Sequence, residues 1–146
     1  IEKIREAGID PNERVKLYTE FVDEHVNTIK GLTPRGHSAA RAKRLDDDLL
    51  DLAALTDELG SNLDVYDERK ADIRKALKAL NDAAFHWTET LQALTPETGF
   101  EVSRTDAMES MKELADEAAQ MLKSQTAYFD EHKDQAGQDR YEPKSD

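Results

Sequence analysis

Hydrophobic positions along the chain recur at alternating intervals of three and four residues, which places them on one face of an α-helix. The first such stretch carries Val15, Tyr18, Val22, His25, Ile29 and Leu32. Before it, Asp10 can cap a helix, Pro11 suits the first helical position, and Glu13 completes a capping box. Gly31 and Pro34 predict the end of this helix.

The same spacing continues without a change of phase from Ala42 to Leu94, and only "GSN" at Gly60–Asn62 interrupts it chemically. Two structures fit this pattern. Either Gly60 ends one helix and the chain reverses, or one helix runs through, with roughly 50 residues and a length of about 80 Å. We favour the reversal, because a free helix of that length would need a packing partner along all of it.

A third break, "TPETGFEVS", precedes the last helix, for which Ser103 and Asp106 predict a cap. No segment alternates as a strand does. The sequence therefore predicts an all-α antiparallel four-helix bundle with up-down-up-down order, or alternatively a three-helix, spectrin-like arrangement with one long central helix. We expect a short lead-in helix at 1–9, the bundle at 10–136 and a disordered tail at 137–146.

Composition narrows the classes of partner. The chain has 146 residues, with 32 acidic and 20 basic side chains, and its formal net charge is −12. Such a surface repels nucleic acid, and no apolar stretch is long enough to span a membrane. Cysteine is absent, which rules out thiolate chemistry. The chain begins with Ile1 rather than methionine, which favours an exported or periplasmic protein, although a trimmed chain would look the same.

Two similar strings, "FVDEH" and "YFDEH", end in His25 and His132. Di-iron bundles place glutamate and histidine three residues apart, whereas here they are adjacent and project about 100° apart on a helix. We also expect the first and last helices to be antiparallel neighbours, which would put the two histidines at opposite ends. Each ring is therefore interpreted as packing near a helix end, and no metal is predicted.

The string "AAFHWTETL" places three ring side chains in a row at Phe85–Trp87, so one of them must leave the core or meet a second partner. His86 shares its helix face with Asp82 and Glu89. His25 lies at a similar height if the first and third helices are parallel. We prefer an ordinary histidine held by a neighbouring acid. The alternative is a metal or small-ligand site formed by His25, His86, Asp82 and Glu89.

The segment "RGHSAARAKR" contains the main cluster of basic residues, including Arg35, Arg41 and Arg44 at a predicted helix start. An anion could bind there. However, Lys43–Asp47 and Arg44–Asp48 are spaced as i,i+4 ion pairs, which would neutralise much of the patch. A solvated, charge-paired face is the preferred interpretation, and an anionic ligand is not predicted.

No motif of a hydrolase, a nucleotide-binding protein or a zinc protease is present, so no catalytic residue and no cofactor is predicted. We expect a non-enzymatic bundle that acts by contact with another protein or with itself. The candidate partner surface comprises Phe85, Trp87, Arg35, Arg41 and Arg44. A metal- or ligand-binding bundle is the alternative. An acid–base enzyme would require a pocket with a carboxyl group of raised pKa.

Overall fold

A computed structural model describes residues 10–32, 38–95, 97 and 99–137. They form four α-helices, α1 (Pro11–Leu32), α2 (Ala39–Glu68), α3 (Arg74–Ala93) and α4 (Glu101–Glu131), followed by a short 3-10 turn at Lys133–Gln135. No strand occurs in these ranges. The predicted four-helix bundle is confirmed. The predicted lead-in helix at 1–9 and all of the predicted tail except Gly137 lie outside the described residues.

Side-chain contacts give the directions of the helices. Asn12 contacts the start of α3, and further along α1 the Asp23 carboxylate accepts a hydrogen bond from Trp87 Nε1, so α1 and α3 are parallel. Thr56 and Ser110 are joined by a 2.6 Å hydrogen bond between α2 and α4, which are also parallel. Adjacent helices in sequence run in opposite directions, as the up-down-up-down order requires.

The order of helices around the bundle differs from the expectation. Helix α1 packs against α2 and α3, and α4 packs against the same two helices. Over the described ranges, α1 and α4 make no such contact and lie on a diagonal. The prediction that the first and last helices are neighbours is therefore wrong. The physical reason is that the link from α2 to α3 crosses the end of the bundle and joins two helices on the other diagonal. Parallel helices therefore lie side by side, α1 beside α3 and α2 beside α4.

The core follows the sequence pattern closely. Leu45, Leu49, Leu52, Leu59 and Leu63 of α2 are fully buried. They pack into one cluster with side chains from the other three helices. Each buried leucine contributes about 1.5–3 kcal/mol through removal of apolar surface from water. The alternation of three and four residues thus identifies the packed faces correctly.

The predicted reversal at Gly60–Asn62 is wrong, because these residues lie within α2. Ser61 Oγ and Asn62 Nδ2 donate to the carbonyls of Asp57 and Glu58 in the preceding turn, instead of capping a new helix. A Cβ on Gly60 would stand 3.3 Å from Glu117 Oε1. This glycine therefore allows close approach of α4 rather than a turn. The alternative of a helix of about fifty residues is also wrong, since α2 ends at Glu68.

The chain reverses instead between α2 and α3, in a segment without glycine or proline. Lys70 adopts a left-handed backbone with φ 58°. The buried amide of Gln125 in α4 donates to Ala71 O at 2.9 Å and accepts from Ile73 N at 3.1 Å. Asn12 Nδ2 donates to Asp72 O from the other side. Two side-chain amides thus replace the hydrogen bonds that the interrupted helix loses.

Candidate functional site

An open groove of about 920 Å³ runs between α3 and α4 on the outside of the bundle. Its apolar lining comes from Ala84, Phe85, Met108, Ala115 and Ala119. The alanines are short, so they leave space where the two helices meet. Phe85 stands beside this space with 65% of its surface exposed. The groove therefore presents apolar surface that the described part of the chain does not cover.

Charged side chains line the same groove. Glu89 belongs to α3, and Glu109, Lys112 and Asp116 belong to α4. Lys112 Nζ lies 2.9 Å from Asp116 Oδ2, so this cation is already paired within its own helix. Glu89 and Glu109 remain as additional acids. The rim is consequently negative around an apolar floor.

The three consecutive rings of α3 point to different sides of the helix, one into the core and two towards solvent. Trp87 is buried, with 1% exposed, and contacts α1 through Asp23, so it belongs to the core and offers no surface to a partner. Phe85 and His86 point outward and meet edge to face at 6.0 Å between ring centroids. Of the two predicted aromatic partner residues, Phe85 alone is accessible.

The four residues of the alternative metal site do not form one cluster. His86 Nδ1 lies 3.7 Å from Glu89 Oε1, and the imidazole side chain is 77% exposed. Asp82 is also exposed. His25 faces α2, where its Nδ1 stands 3.5 Å from Asp48 Oδ1. The helical spacing correctly predicted the His86–Glu89 neighbourhood but could not show which helix His25 faces.

His132 ends α4, as expected for a histidine near a helix end. Its ring stacks on Tyr128 with centroids 4.1 Å apart, and Nδ1 lies 2.8 Å from Tyr128 O. His132 therefore follows α4, which lies diagonally across the bundle from α1, the helix that carries His25. The two "DEH" strings therefore serve separate places in the fold.

The basic cluster has a structural role at Arg41. This side chain is buried, and its Nε donates to Leu32 O at 2.8 Å, which satisfies a carbonyl at the C-terminal end of α1. Its Nη1 lies 2.8 Å from Glu97 Oε2 in the segment that precedes α4. Arg41 thus joins three parts of the bundle and is not presented to solvent.

The remaining charges of that cluster are divided. The predicted pair Lys43–Asp47 is present, with 3.1 Å between Nζ and Oδ1. Within the described ranges, Asp48 pairs with His25 rather than with Arg44, which is exposed. The prediction of an Arg44–Asp48 pair is wrong because Asp48 is directed towards α1. Arg35 lies outside the described residues.

A second, smaller hollow of about 170 Å³ lies between α2 and α4 beside Gly60. Burial raises the pKa of the Glu117 carboxyl to about 7, helped by a hydrogen bond with Asp64 and by the charges of Asp64 and Asp67. The hollow therefore contains the kind of carboxyl that an acid–base enzyme would use. Two acids pressed together at a helix interface explain the same shift without any substrate.

No family model matches the chain, and neither a curated protein nor a solved structure resembles it closely enough to count as a match. Among the described helices, none combines the length and the apolar character that crossing a bilayer requires. The groove and the charged clusters are therefore the features from which a function can be inferred.

Proposed function

We propose that this protein is a docking module that binds a basic amphipathic helix of another protein in the groove between α3 and α4. The observation that carries the proposal is the apolar groove itself, with Phe85 exposed along it. Uncovered apolar surface bordered by polar groups is typical of protein interaction sites. An aromatic side chain at such a site commonly supplies much of the binding energy.

The dimensions of the groove suit a helix. Its lining on α3 extends from Asn81 to Gln92. Eleven residue steps at about 1.5 Å each give roughly 16 Å, or about three turns of a partner helix. The small side chains Ala84, Ala115 and Ala119 leave room for the apolar face of such a helix, whose anchors would repeat at i, i+3 or i+4, and i+7.

Charge selects the kind of helix. Glu89, Glu109 and Asp116 surround the groove, and Lys112 is paired with Asp116. The whole chain carries a formal charge of −12, which attracts a cationic partner over a distance. A second copy of the same acidic chain would be repelled. Lysine or arginine on the polar face of the partner helix would complement the rim.

Peptide binding tests the proposal directly. The probe is a synthetic amphipathic helix of four turns with leucine on one face and lysine on the other, and its counterpart carries glutamate in place of lysine. We expect the lysine peptide to bind and the glutamate peptide not to bind. Removal of the aromatic anchor in Phe85→Ala should weaken binding at least about thirtyfold, which corresponds to the loss of about 2 kcal/mol that defines an interface hot spot.

Leu50→Ala is the matched control, because Leu50 is also an exposed apolar residue, with 50% of its surface accessible, but lies on α2 away from the groove. This variant should bind the lysine peptide like the parent. Equal loss in both variants would contradict the proposal. So would a dimer in solution that dissociates on Phe85→Ala, since the occupant would then be a second copy.

A further inference from the structure

A different cluster lies on the opposite side of the bundle from the groove, where α1 packs antiparallel to α2. His25 of α1 faces Asp48 and Asp51 of α2, which are three residues apart and therefore share one helix face. One donor atom from each side chain can be chosen so that all three lie within 4.8 Å of one another. Across the described ranges, these are the three histidine or acidic side chains whose donor atoms come this close to one another.

The distance between His25 and Asp48 is close to that between two ligands of one ion. His25 Nδ1 and Asp48 Oδ1 are 3.5 Å apart, which is longer than a charge-assisted hydrogen bond of about 2.7–2.9 Å. Two ligand atoms bound tetrahedrally to zinc, at about 2.0–2.2 Å each, stand roughly 3.4 Å apart. Asp51 offers an oxygen within 4.8 Å of the other two donor atoms, so its exposed side chain would have to approach by about 1.4 Å at most to complete a third bond. The side chains of His25 and Asp48 are 28% and 20% exposed, so an ion can reach them from solvent.

We propose that His25, Asp48 and Asp51 bind one divalent transition-metal ion, best matched by Zn²⁺, and that this ion links α1 to α2. An imidazole nitrogen with two carboxylate oxygens is a donor set that zinc accepts, with water in the remaining position. Calcium and magnesium prefer oxygen ligands, so the imidazole nitrogen of His25 favours zinc over either of them. The cation also offsets the repulsion between two neighbouring aspartates.

The site is independent of the proposed docking function, because it lies on α1 and α2 whereas the groove is formed by α3 and α4. It also differs from the set that the sequence suggested. His86 and Glu89 form a separate exposed pair, and a third ligand does not join them in the described part of the chain. That pair supplies a matched control on the same molecule.

The test is calorimetric titration of the full chain with Zn²⁺ at pH 7 after treatment with a chelator. We expect one ion per chain and a melting temperature that rises with free Zn²⁺ concentration. Replacing a residue that only holds a metal ligand in place typically weakens metal binding 10–100-fold. His25 and Asp48 are themselves the proposed ligands, so His25→Asn and Asp48→Asn should each weaken Zn²⁺ binding by at least about tenfold. His86→Asn should change the affinity less than about twofold, because the pair that it disrupts is not a ligand set.

Imidazole NMR of the parent chain keeps the test decisive even where a variant folds poorly. The signals of His25 should shift on addition of Zn²⁺, while those of His86 and His132 should not. The proposal is overturned if no ion binds, if His86 rather than His25 responds, or if Mg²⁺ competes as effectively as Zn²⁺. The last result would mark an acidic surface that attracts any dication.

Discussion

The carboxyl group of Glu117 holds its proton unusually strongly. Its carboxyl lies against Asp64, and its pKa is raised from 4.5 to about 7, chiefly by burial. The folded state therefore holds a proton on this group over a pH range in which the unfolded chain has lost it. Between about pH 4.5 and 7 the native state binds more protons, so this group's contribution to stability is full below pH 4.5 and is lost as pH rises to 7.

Glu117→Gln should make the protein more stable at pH 8, because the amide removes a charge that Asp64 and Asp67 repel. After allowance for screening by solvent at this partly exposed site, the gain is about 1 kcal/mol. At pH 4.5 the gain should vanish, since the parent carboxyl is then protonated. Urea denaturation at both pH values measures the difference. Glu20→Gln, at an exposed position of α1 away from this hollow, is the control. An equal gain in both variants at pH 8 would contradict the explanation.

Residue types predicted burial well but partners poorly. The row of rings at Phe85–Trp87 indicated that one ring must leave the core or meet a second partner, and in the structure two of them, Phe85 and His86, are exposed. The helical phase placed His86 beside Glu89. The pairing of His25 with Asp48 depends on how two helices are rotated against each other, which spacing along one chain does not contain. The pKa of Glu117 was equally inaccessible, because its acidic neighbours belong to α2.

At the scale of elements, Gly60→Ala distinguishes a helix interior from a turn. Alanine is favoured over glycine within a helix by about 0.8–1.0 kcal/mol. The new Cβ would lie 3.3 Å from Glu117 Oε1, the flexible end of a side chain that can move slightly. We therefore expect a net gain of about 0.5 kcal/mol in the free energy of unfolding.

Gly31→Ala is the matched control, since Gly31 also lies in a helix and a Cβ there meets nothing within 4 Å. Because Gly31 is the last residue but one of α1, where the propensity effect is weaker than in a helix interior, the gain should be at most about 0.5 kcal/mol. Both values come from chemical denaturation followed by circular dichroism. A loss of more than about 1 kcal/mol at Gly60 would mean that α2 does not run through this position.

Capping chemistry predicted the start of α1 but not that of α4. The predicted cap at Ser103 and Asp106 is wrong, because α4 begins at Glu101 and Ser103 lies inside the helix, where its hydroxyl donates to Asp46 and to Phe100 O. Asp10 Oδ1 accepts from Asn12 N at 3.0 Å, as the start signal of α1 indicated, and Ser38 Oγ accepts from Arg41 N at 3.1 Å at the start of α2. The reversal after Glu68 was missed because its hydrogen bonds come from a distant helix, through Gln125. Gly60 was mistaken for a turn signal, because the sequence does not show that this glycine allows the close approach of α4.

At the scale of the whole molecule, the order of helices explains why the two proposed sites are separate. Helices α1 and α2 form one side and α3 and α4 the other, with parallel contacts joining the two sides. The Zn²⁺ site would link α1 to α2 across an antiparallel contact. The groove would accept a helix on the far side. Each can therefore be disrupted by substitution without touching the other.

One core shared by all four helices should unfold in a single step. Trp87 is the only tryptophan in the sequence, is 1% exposed and lies at the contact of α1 with α3. Its fluorescence reports local packing, whereas circular dichroism reports all helices together. We expect both signals to give one urea midpoint, with a slope in the range of about 1–3 kcal/mol per molar for a domain of this size. If the α1–α3 contact opened separately from the α2–α4 contact, the fluorescence midpoint would precede the dichroism midpoint. Such a separation would show that the α1–α3 pair and the α2–α4 pair unfold as two separate units.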